Sequence, residues 1–244
     1  ALIMREVTTT YGRTPGGFIW AVVQPLATIL VLGFAFSLLS RTPAMGTSFI
    51  LFKATGLLAF GMFKGISNVI GRSLSYSAPL LAYPGVTWAD AVLARFILNV
   101  LVEAVVAIII LTGIIMVEGL TLIYDWGSIF LAMSLAALLG LGIGVLNCFL
   151  FGRIDIWANV WGILTAPLMI VSGALIPYED LPTMAQEVLW YNPVMHVTGL
   201  MRQGFYSTYE AQYVSIPFML TCAMVPMVLG LILLRRHHRA LLAR

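Results

Sequence analysis

The alternation of apolar and polar residues divides the chain into six long apolar stretches that are separated by shorter, more polar connections. A helix that crosses the ~30 Å hydrocarbon core of a bilayer needs about 20 residues, because each residue adds 1.5 Å. Each stretch is long enough. The pattern therefore predicts membrane-spanning helices at about residues 18–39, 49–70, 91–117, 128–151, 157–176 and 214–234.

The connection before the sixth predicted span, residues 177–213, is too apolar for an ordinary loop. Apolar residues recur at helical spacing on both sides of Asn192-Pro193, a pair typical of turns. This predicts two short helices joined by a turn, neither long enough to span. We expect a re-entrant hairpin. The alternative is a pair of helices lying flat on the outer surface.

The composition agrees with a membrane protein. The chain is 61% hydrophobic and 9% charged, whereas soluble domains carry roughly 25% charged residues. Its charges are too few to coat a soluble fold and too scattered for a nucleic-acid groove. Soluble enzymes and nucleic-acid binding are therefore excluded. The expected fold is an all-α membrane protein with one transmembrane domain over residues 1–244, including an interfacial N-terminal helix at 1–17 and a basic tail at 235–244.

The charges are unevenly shared between the two sides of the predicted bundle. The side that holds both termini has arginines at 5, 13, 72, 153, 235, 236, 239 and 244 against acids at 6, 90 and 155. The other side has arginines at 41 and 202 against acids at 118, 125, 179, 180, 187 and 210. Because cytoplasmic loops are enriched in Lys and Arg, both termini are predicted to be cytoplasmic.

Catalytic and cofactor motifs are missing from the sequence. No G-x-x-x-x-G-K-[ST] stretch is present to bind nucleotide phosphates, and no H-E-x-x-H occurs. The two cysteines lie in apolar runs without metal-ligand spacing. Ser172 and His196 leave open a membrane-embedded acyltransferase or hydrolase, although their spacing places no base beside a nucleophile. We expect neither a catalytic residue nor a metal or cofactor site in this chain.

Two ionisable residues, Lys64 and Glu103, fall deep within predicted spans. Because desolvating such groups is costly, they indicate either a structural pair or a functional site. We interpret them as a buried ion pair. A proton relay is the alternative, and an ion-coupled secondary transporter would require further carboxylates at the same depth.

Aromatic residues are abundant, with six Trp, nine Tyr and thirteen Phe. Those near predicted membrane interfaces are typical of an aromatic belt. Aromatic faces also stack on the apolar faces of sugar rings, which suits a channel through which a polymer slides.

Three segments resemble a known family, the permease subunits of ABC-2 type polysaccharide exporters, most closely those of capsular polysaccharide export. The first runs from Arg5-Glu6 to Tyr11-Gly12-Arg13 and on to Trp20 and Gln24-Pro25; the second is Ile176-Pro177 to Leu181-Pro182; the third is Tyr191-Asn192-Pro193 with His196 and Arg202.

The resemblance implies a homodimer that binds two copies of a separate cytoplasmic ATPase, which carries the ATP and Mg. It also implies that the N-terminal helix and the connection 72–90 contact that ATPase, the connection acting as a coupling helix. The coupling residues would be Arg5, Arg13, Arg72, Leu80, Leu81 and Tyr83. The hairpin motif would be Asn192, Pro193, His196 and Arg202.

The function implied is export of a lipid-linked, acidic capsular polysaccharide across the bacterial inner membrane to periplasmic and outer-membrane partners. We expect the first and fifth spans and the hairpin to line the channel, with sugar contacts from Trp20, Phe34, Phe60, Phe63, Tyr178, Trp190 and Tyr191. The alternatives are an ABC-2 exporter of a lipid or small molecule and the ion-coupled transporter above.

Overall fold

The computed structural model describes residues 17–39, 42–81 and 87–242, and within these ranges the regular structure is entirely helical. The long helices are α1 (Gly17–Leu39), α2 (Phe49–Gly71), α4 (Trp88–Glu118), α5 (Trp126–Arg153), α6 (Trp157–Met169) and α9 (Ile216–Leu242). The short ones are α3 (Ser73–Leu81), α7 (Thr183–Leu189) and α8 (Pro193–Phe205).

Six of these segments are long and apolar enough to cross a membrane, which confirms the predicted all-α fold with six spans. The fifth includes a π-helical turn, Ile170–Ala174, that continues α6. The sixth is longer than its apolar run because α9 continues through Arg235 and Arg236 to Leu242, so the expected basic tail is part of a helix. The expected interfacial helix at 1–17 lies almost entirely outside the described residues.

Polar side chains mark where several helices begin. Ser48 accepts a hydrogen bond from the Leu51 backbone N–H at 2.9 Å and starts α2. Thr87 and Asp90 form a reciprocal capping box at the start of α4. These side chains satisfy backbone donors that have no partner within their helix. Helix starts are therefore fixed locally, by residues next to the apolar runs.

α2 lies at the centre of the bundle and packs against α1, α4, α5 and α8. α5 packs against α2 on one side and α9 on the other, and glycines permit both contacts. A Cβ added at Gly144 would lie 2.7 Å from the Ile70 Cβ of α2, and one at Gly142 would collide with the Ala223 carbonyl oxygen of α9. Small residues are common where membrane helices approach closely.

Candidate functional site

One face of α1 is exposed and runs along the helix through Trp20, Gln24, Thr28 and Val31. These positions are three or four residues apart and therefore lie on one side of the helix. Trp20 is 60% exposed, and Phe34, a turn further on, is 66% exposed. Two polar side chains, Gln24 and Thr28, thus interrupt an otherwise apolar exposed surface.

Beside this face lies a cavity of about 380 Å³ between α1, α2 and α4, which we call the polar cavity. Its polar lining comes from Gln24, Thr28, Lys64, Asn68 and Glu103. Phe60, Gly61, Gly65 and Met169 complete much of its wall. The cavity therefore brings together both ionisable residues that the sequence places deep in predicted spans.

Lys64 and Glu103 line this cavity without forming the ion pair that we expected from the sequence. The Lys64 ammonium lies 6.0 Å from the centroid of the Phe60 ring. A Cβ built on Gly65 would come within 2.5 Å of Glu103 Oε1, so the carboxylate rests against that glycine. Both groups are only partly buried.

A second group of polar contacts surrounds the kink that ends α6. Within the π-helical turn, Ser172 leaves the helical conformation and Gly173 adopts a φ of +75°. The last carbonyls of a helix have no partner within it. At this kink their partners are side chains from neighbouring elements.

The turn before α8 and the first half of α8 donate to two of these carbonyls and to the Ser172 hydroxyl. Asn192 Nδ2 donates to the Val171 carbonyl at 3.0 Å and to Ser172 Oγ at 3.1 Å. Thr198 Oγ1 donates to the Ser172 carbonyl at 2.7 Å. Asn192 also starts α8, because its Oδ1 accepts from the Val194 N–H at 3.1 Å. Pro193 follows at the first helical position, which needs no N–H donor.

Two buried cations supply the remaining hydrogen bonds. Arg202 is 1% exposed, and its Nη2 donates to the Ala174 carbonyl at 3.2 Å. Lys53 is 3% exposed, and its ammonium donates to the Leu175 carbonyl. Burial lowers the pKa of the Arg202 guanidinium. Carbonyl oxygens thus take the place of carboxylates around both charges.

Aromatic rings stabilise these cations further. The Arg202 guanidinium lies 4.1 Å from the Phe52 ring centroid, and the Lys53 ammonium lies 3.6 Å from that of Phe36. Such cation–π contacts contribute most when the groups are shielded from water. Lys53 lies about one turn from the start of its predicted span, so the sequence suggests that its side chain extends to the membrane interface. The structure shows it buried instead.

The α7–α8 hairpin, defined as residues 183–205 with its turn at Trp190–Asn192, is anchored by an aromatic cluster. His196 Nδ1 accepts from the Ser215 N–H at 3.1 Å, and its Nε2 lies 2.7 Å from the Trp190 carbonyl. These contacts fit a neutral imidazole with the proton on Nε2. Burial lowers the pKa of His196, which favours the same neutral form.

Two aromatics predicted to contact sugar belong to this cluster. Trp190 stacks on Phe218 with ring centroids 5.0 Å apart and donates Nε1–H to the Tyr213 carbonyl at 3.1 Å. Tyr178 stacks on Tyr213 with centroids 4.1 Å apart. Both rings therefore have partners within this chain. Tyr191 contacts the Trp190 ring edge-on, with centroids 5.3 Å apart, but is 70% exposed.

The other aromatics predicted to line the channel also divide into exposed rings and rings buried within the chain. Trp20 and Phe34 lie on the exposed face of α1. Phe60 is 3% exposed and borders the polar cavity. Phe63 is 1% exposed and belongs to the hydrophobic core, against Phe60 and near Gly140. Phe60 and Phe63 are three residues apart on α2. The sequence pattern alone does not distinguish the ring that borders the cavity from the ring that lies in the core.

The predicted ATPase-coupling residues are only partly described. Arg72 is exposed in the turn between α2 and α3, where its N–H donates to the Asn68 carbonyl at 3.3 Å. Leu80 and Leu81 end α3. Arg5, Arg13 and Tyr83 lie outside the described residues.

No catalytic centre forms around Ser172 and His196. The Ser172 hydroxyl donates to the Leu168 carbonyl and accepts from Asn192, while His196 binds Trp190 and Ser215. A nucleophile and its base would need to share a hydrogen bond. Within the described residues, no group of three or more His, Cys, Asp or Glu is positioned to hold a metal ion.

The sequence profile of the ABC-2 type transporter family matches residues 1–206, and the chain belongs to that family. Among similar proteins is the capsule polysaccharide export inner-membrane protein BexB of Haemophilus influenzae, 27% identical over 235 residues, covering 96% of this chain and 89% of BexB. CtrC of Neisseria meningitidis serogroup B, which has the same description, is 29% identical over 231 residues, covering 95% and 87%.

A third relative is the polysialic acid transport protein KpsM of Escherichia coli. It is 28% identical over 242 residues, covering 99% of this chain and 94% of KpsM. The resemblance to the ABC-2 permeases of capsular polysaccharide export is therefore confirmed. Because the matches extend over nearly the whole chain, they include the spans, the kink of α6 and the hairpin together.

Proposed function

We propose that this chain is the membrane-spanning permease subunit of an ATP-driven exporter that moves lipid-linked, acidic capsular polysaccharide across a bacterial inner membrane. The observation that carries the proposal is the nearly full-length similarity to BexB, CtrC and KpsM, whose names specify capsule polysaccharide export or polysialic acid transport. Two copies enclose the path, and both termini of each copy lie in the cytoplasm.

The surface of the molecule supports a path between two copies. The exposed α1 face combines aromatic rings with Gln24 and Thr28, and the polar cavity adjoins it. A polar surface at membrane depth is unfavourable against lipid tails but suits a water-filled path. Trp20 and Phe34 are the exposed aromatics best placed to contact passing sugar rings, and Phe60 borders the polar cavity. Tyr191 is exposed at the hairpin turn.

Energy comes from two copies of a separate cytoplasmic ATPase, which carry ATP and Mg. The absence of a phosphate-binding motif in this sequence is consistent with that division. Arg72 and α3, together with the segments that contain Arg5, Arg13 and Tyr83, form the contact through which closure of the ATPase reaches α2 and α4. Periplasmic and outer-membrane export proteins receive the glycan.

The proposal is tested by purifying the tagged chain from membranes of cells that make the glycan. We expect a P-loop ATPase to be recovered at equal stoichiometry, with ATP hydrolysis stimulated by added lipid-linked polysaccharide. Deleting the chain should remove polysaccharide from the cell surface and leave it inside. The matched control is a complex whose ATPase carries a substitution in its phosphate-binding lysine, which should assemble without hydrolysis or export.

Two results would contradict the proposal. Stimulation by the lipid carrier alone, without glycan, would indicate a lipid exporter of the same family. Transport driven by a pH gradient in vesicles that lack any ATPase would indicate an ion-coupled transporter.

A further inference from the structure

The polar cavity holds more hydrogen-bonding capacity than its own residues use. Among the described residues, neither the Lys64 ammonium nor the Glu103 carboxylate has a hydrogen-bond or ion-pair partner. Asn68 Oδ1 accepts from Trp161 Nε1 at 3.2 Å, which leaves the two amide protons of Asn68 available. A cation, a carboxylate and an amide thus share one cavity without satisfying one another.

Charged and amide groups without a hydrogen-bond partner are costly at membrane depth. Ionisable residues in spans face protein or a water-filled cavity and mark functional paths. The volume of about 380 Å³ falls within the range of small-ligand sites, roughly 300–1,000 Å³. Gln24 and Thr28 line the cavity and are also exposed on the α1 face, so the cavity borders that face. A ligand can therefore enter the cavity from the path beside α1.

The combination of a cation, an amide and a carboxylate in one cavity restricts the chemical class of ligand that it can bind. A lipid tail offers no partner for Lys64, Asn68 or Glu103. A simple anion would pair with Lys64 but has no proton to donate to the Glu103 carboxylate. A ring bearing several hydroxyls satisfies all three, because each hydroxyl both donates and accepts. Phe60 adds an aromatic wall at 6.0 Å from the Lys64 ammonium.

We infer that the polar cavity is a saccharide subsite, in which Lys64 and Asn68 donate to sugar oxygens, Glu103 accepts from sugar hydroxyls and Phe60 packs against the ring. This inference rests on the proposed function and adds to it a holding point for one sugar unit of the chain. Gly61 and Gly65 keep the wall open: a Cβ at Gly61 meets nothing within 4 Å, whereas one at Gly65 would collide with Glu103.

The test uses cysteine accessibility in the complete transporter. The two native cysteines, Cys148 and Cys222, are replaced by alanine, and Gly61→Cys is introduced as the reporter. Gly113→Cys on α4 is the matched control, because a Cβ there also meets nothing within 4 Å but faces an apolar groove between α1 and α4. A charged, membrane-impermeant methanethiosulfonate reagent is applied to open membrane vesicles.

We expect the reagent to modify Gly61→Cys and to spare Gly113→Cys. We also expect its reaction with Gly61→Cys to be at least tenfold slower in membranes from cells that make the glycan than in membranes from cells that do not. Absence of labelling at Gly61→Cys would overturn the inference, since the cavity would not be hydrated. Labelling at equal rates with and without glycan would also overturn it.

A second measurement keeps the two proposals separable. Lys64→Met and Glu103→Gln should each lower surface glycan at least tenfold while the ATPase complex still assembles. If both variants export normally and the wild-type chain exports glycan, the subsite is wrong and the proposed function stands. If the wild-type chain exports no glycan, the proposed function itself fails.

Discussion

At the scale of single residues, the clearest feature is that side chains from α2, from α8 and from the turn before α8 bind the backbone carbonyls at the end of α6. Asn192, Thr198, Arg202 and Lys53 each donate to a carbonyl of residues 171–175. An unpaired buried carbonyl costs about 1–3 kcal/mol. The kink of α6 is thus tolerable only because the hairpin and α2 lie against it.

Asn192 has two separable roles, and two substitutions distinguish them. Asn192→Ser keeps an oxygen that can cap α8 but loses both donor bonds to α6, so we expect a loss of about 1–2 kcal/mol. Asn192→Ala loses the cap as well, which adds about 1 kcal/mol. The measurement is thermal unfolding of the purified protein in detergent.

Ser48→Ala provides the control for the Asn192 series. Ser48 caps α2 by accepting from the Leu51 N–H, so its loss should match the difference between Asn192→Ala and Asn192→Ser. If Asn192→Ser unfolds at the wild-type temperature, the bonds from Asn192 to α6 contribute nothing to stability, and the account of the kink is wrong.

Residue roles were the part that the sequence predicted least well. The motif around Asn192-Pro193 led directly to residues that bind the kink, because a turn residue followed by Pro has a strong local preference. Lys53 and Phe63 were missed as buried groups. Whether a lysine near a helix start points to water or inward, and whether a phenylalanine faces a cavity or a core, depends on helix packing that no local pattern specifies.

At the scale of elements, the kink depends on Gly173. Its φ of +75° is unfavourable for other residues, and an added Cβ would lie 2.6 Å from Met195 Sδ and 2.8 Å from Thr198 Oγ1. Gly173→Ala therefore combines backbone strain with a collision against α8. We expect a loss of several kcal/mol, measured as a lower unfolding temperature and faster amide exchange in residues 170–176.

Gly119→Ala is the matched control for this prediction. Gly119 ends α4 with a φ of +62°, and an added Cβ there meets nothing within 4 Å. This variant carries the backbone strain alone, about 1 kcal/mol. If the two variants are equally stable, the contact between the kink and α8 is loose, and the hairpin does not hold the end of α6.

The elements themselves were largely predictable. Apolar runs of sufficient length can exist in a bilayer only as helices, since every backbone group must find a partner. The six membrane-length helices follow from that constraint. The break at Ser172–Gly173 was not foreseen, because the glycine conformation is set by Asn192, Thr198 and Arg202, which are distant in sequence.

At the scale of the whole molecule, two exposed surfaces differ in chemistry. The α4 surface that includes Leu101 and Ile108 is exposed and apolar, as expected against lipid. The α1 face carries Gln24 and Thr28 among apolar residues. Because lipid tails offer no hydrogen bonds, the α1 face is the better candidate for contact with a second copy around a hydrated path.

Cross-linking distinguishes the two surfaces. Val31 on α1 is 67% exposed and Ile108 on α4 is 65% exposed, so cysteines at these positions are matched in accessibility. With Cys148 and Cys222 replaced by alanine, we expect a flexible bismaleimide to join two copies through Val31→Cys and to leave Ile108→Cys as single chains. Electrophoresis of membranes treated at low expression gives the measurement. A two-fold interface brings the same face of both copies together. Cross-linking through Ile108→Cys alone would therefore move the interface to α4 and leave the polar cavity facing lipid. In that position Lys64 and Glu103 would have neither water nor sugar to bind.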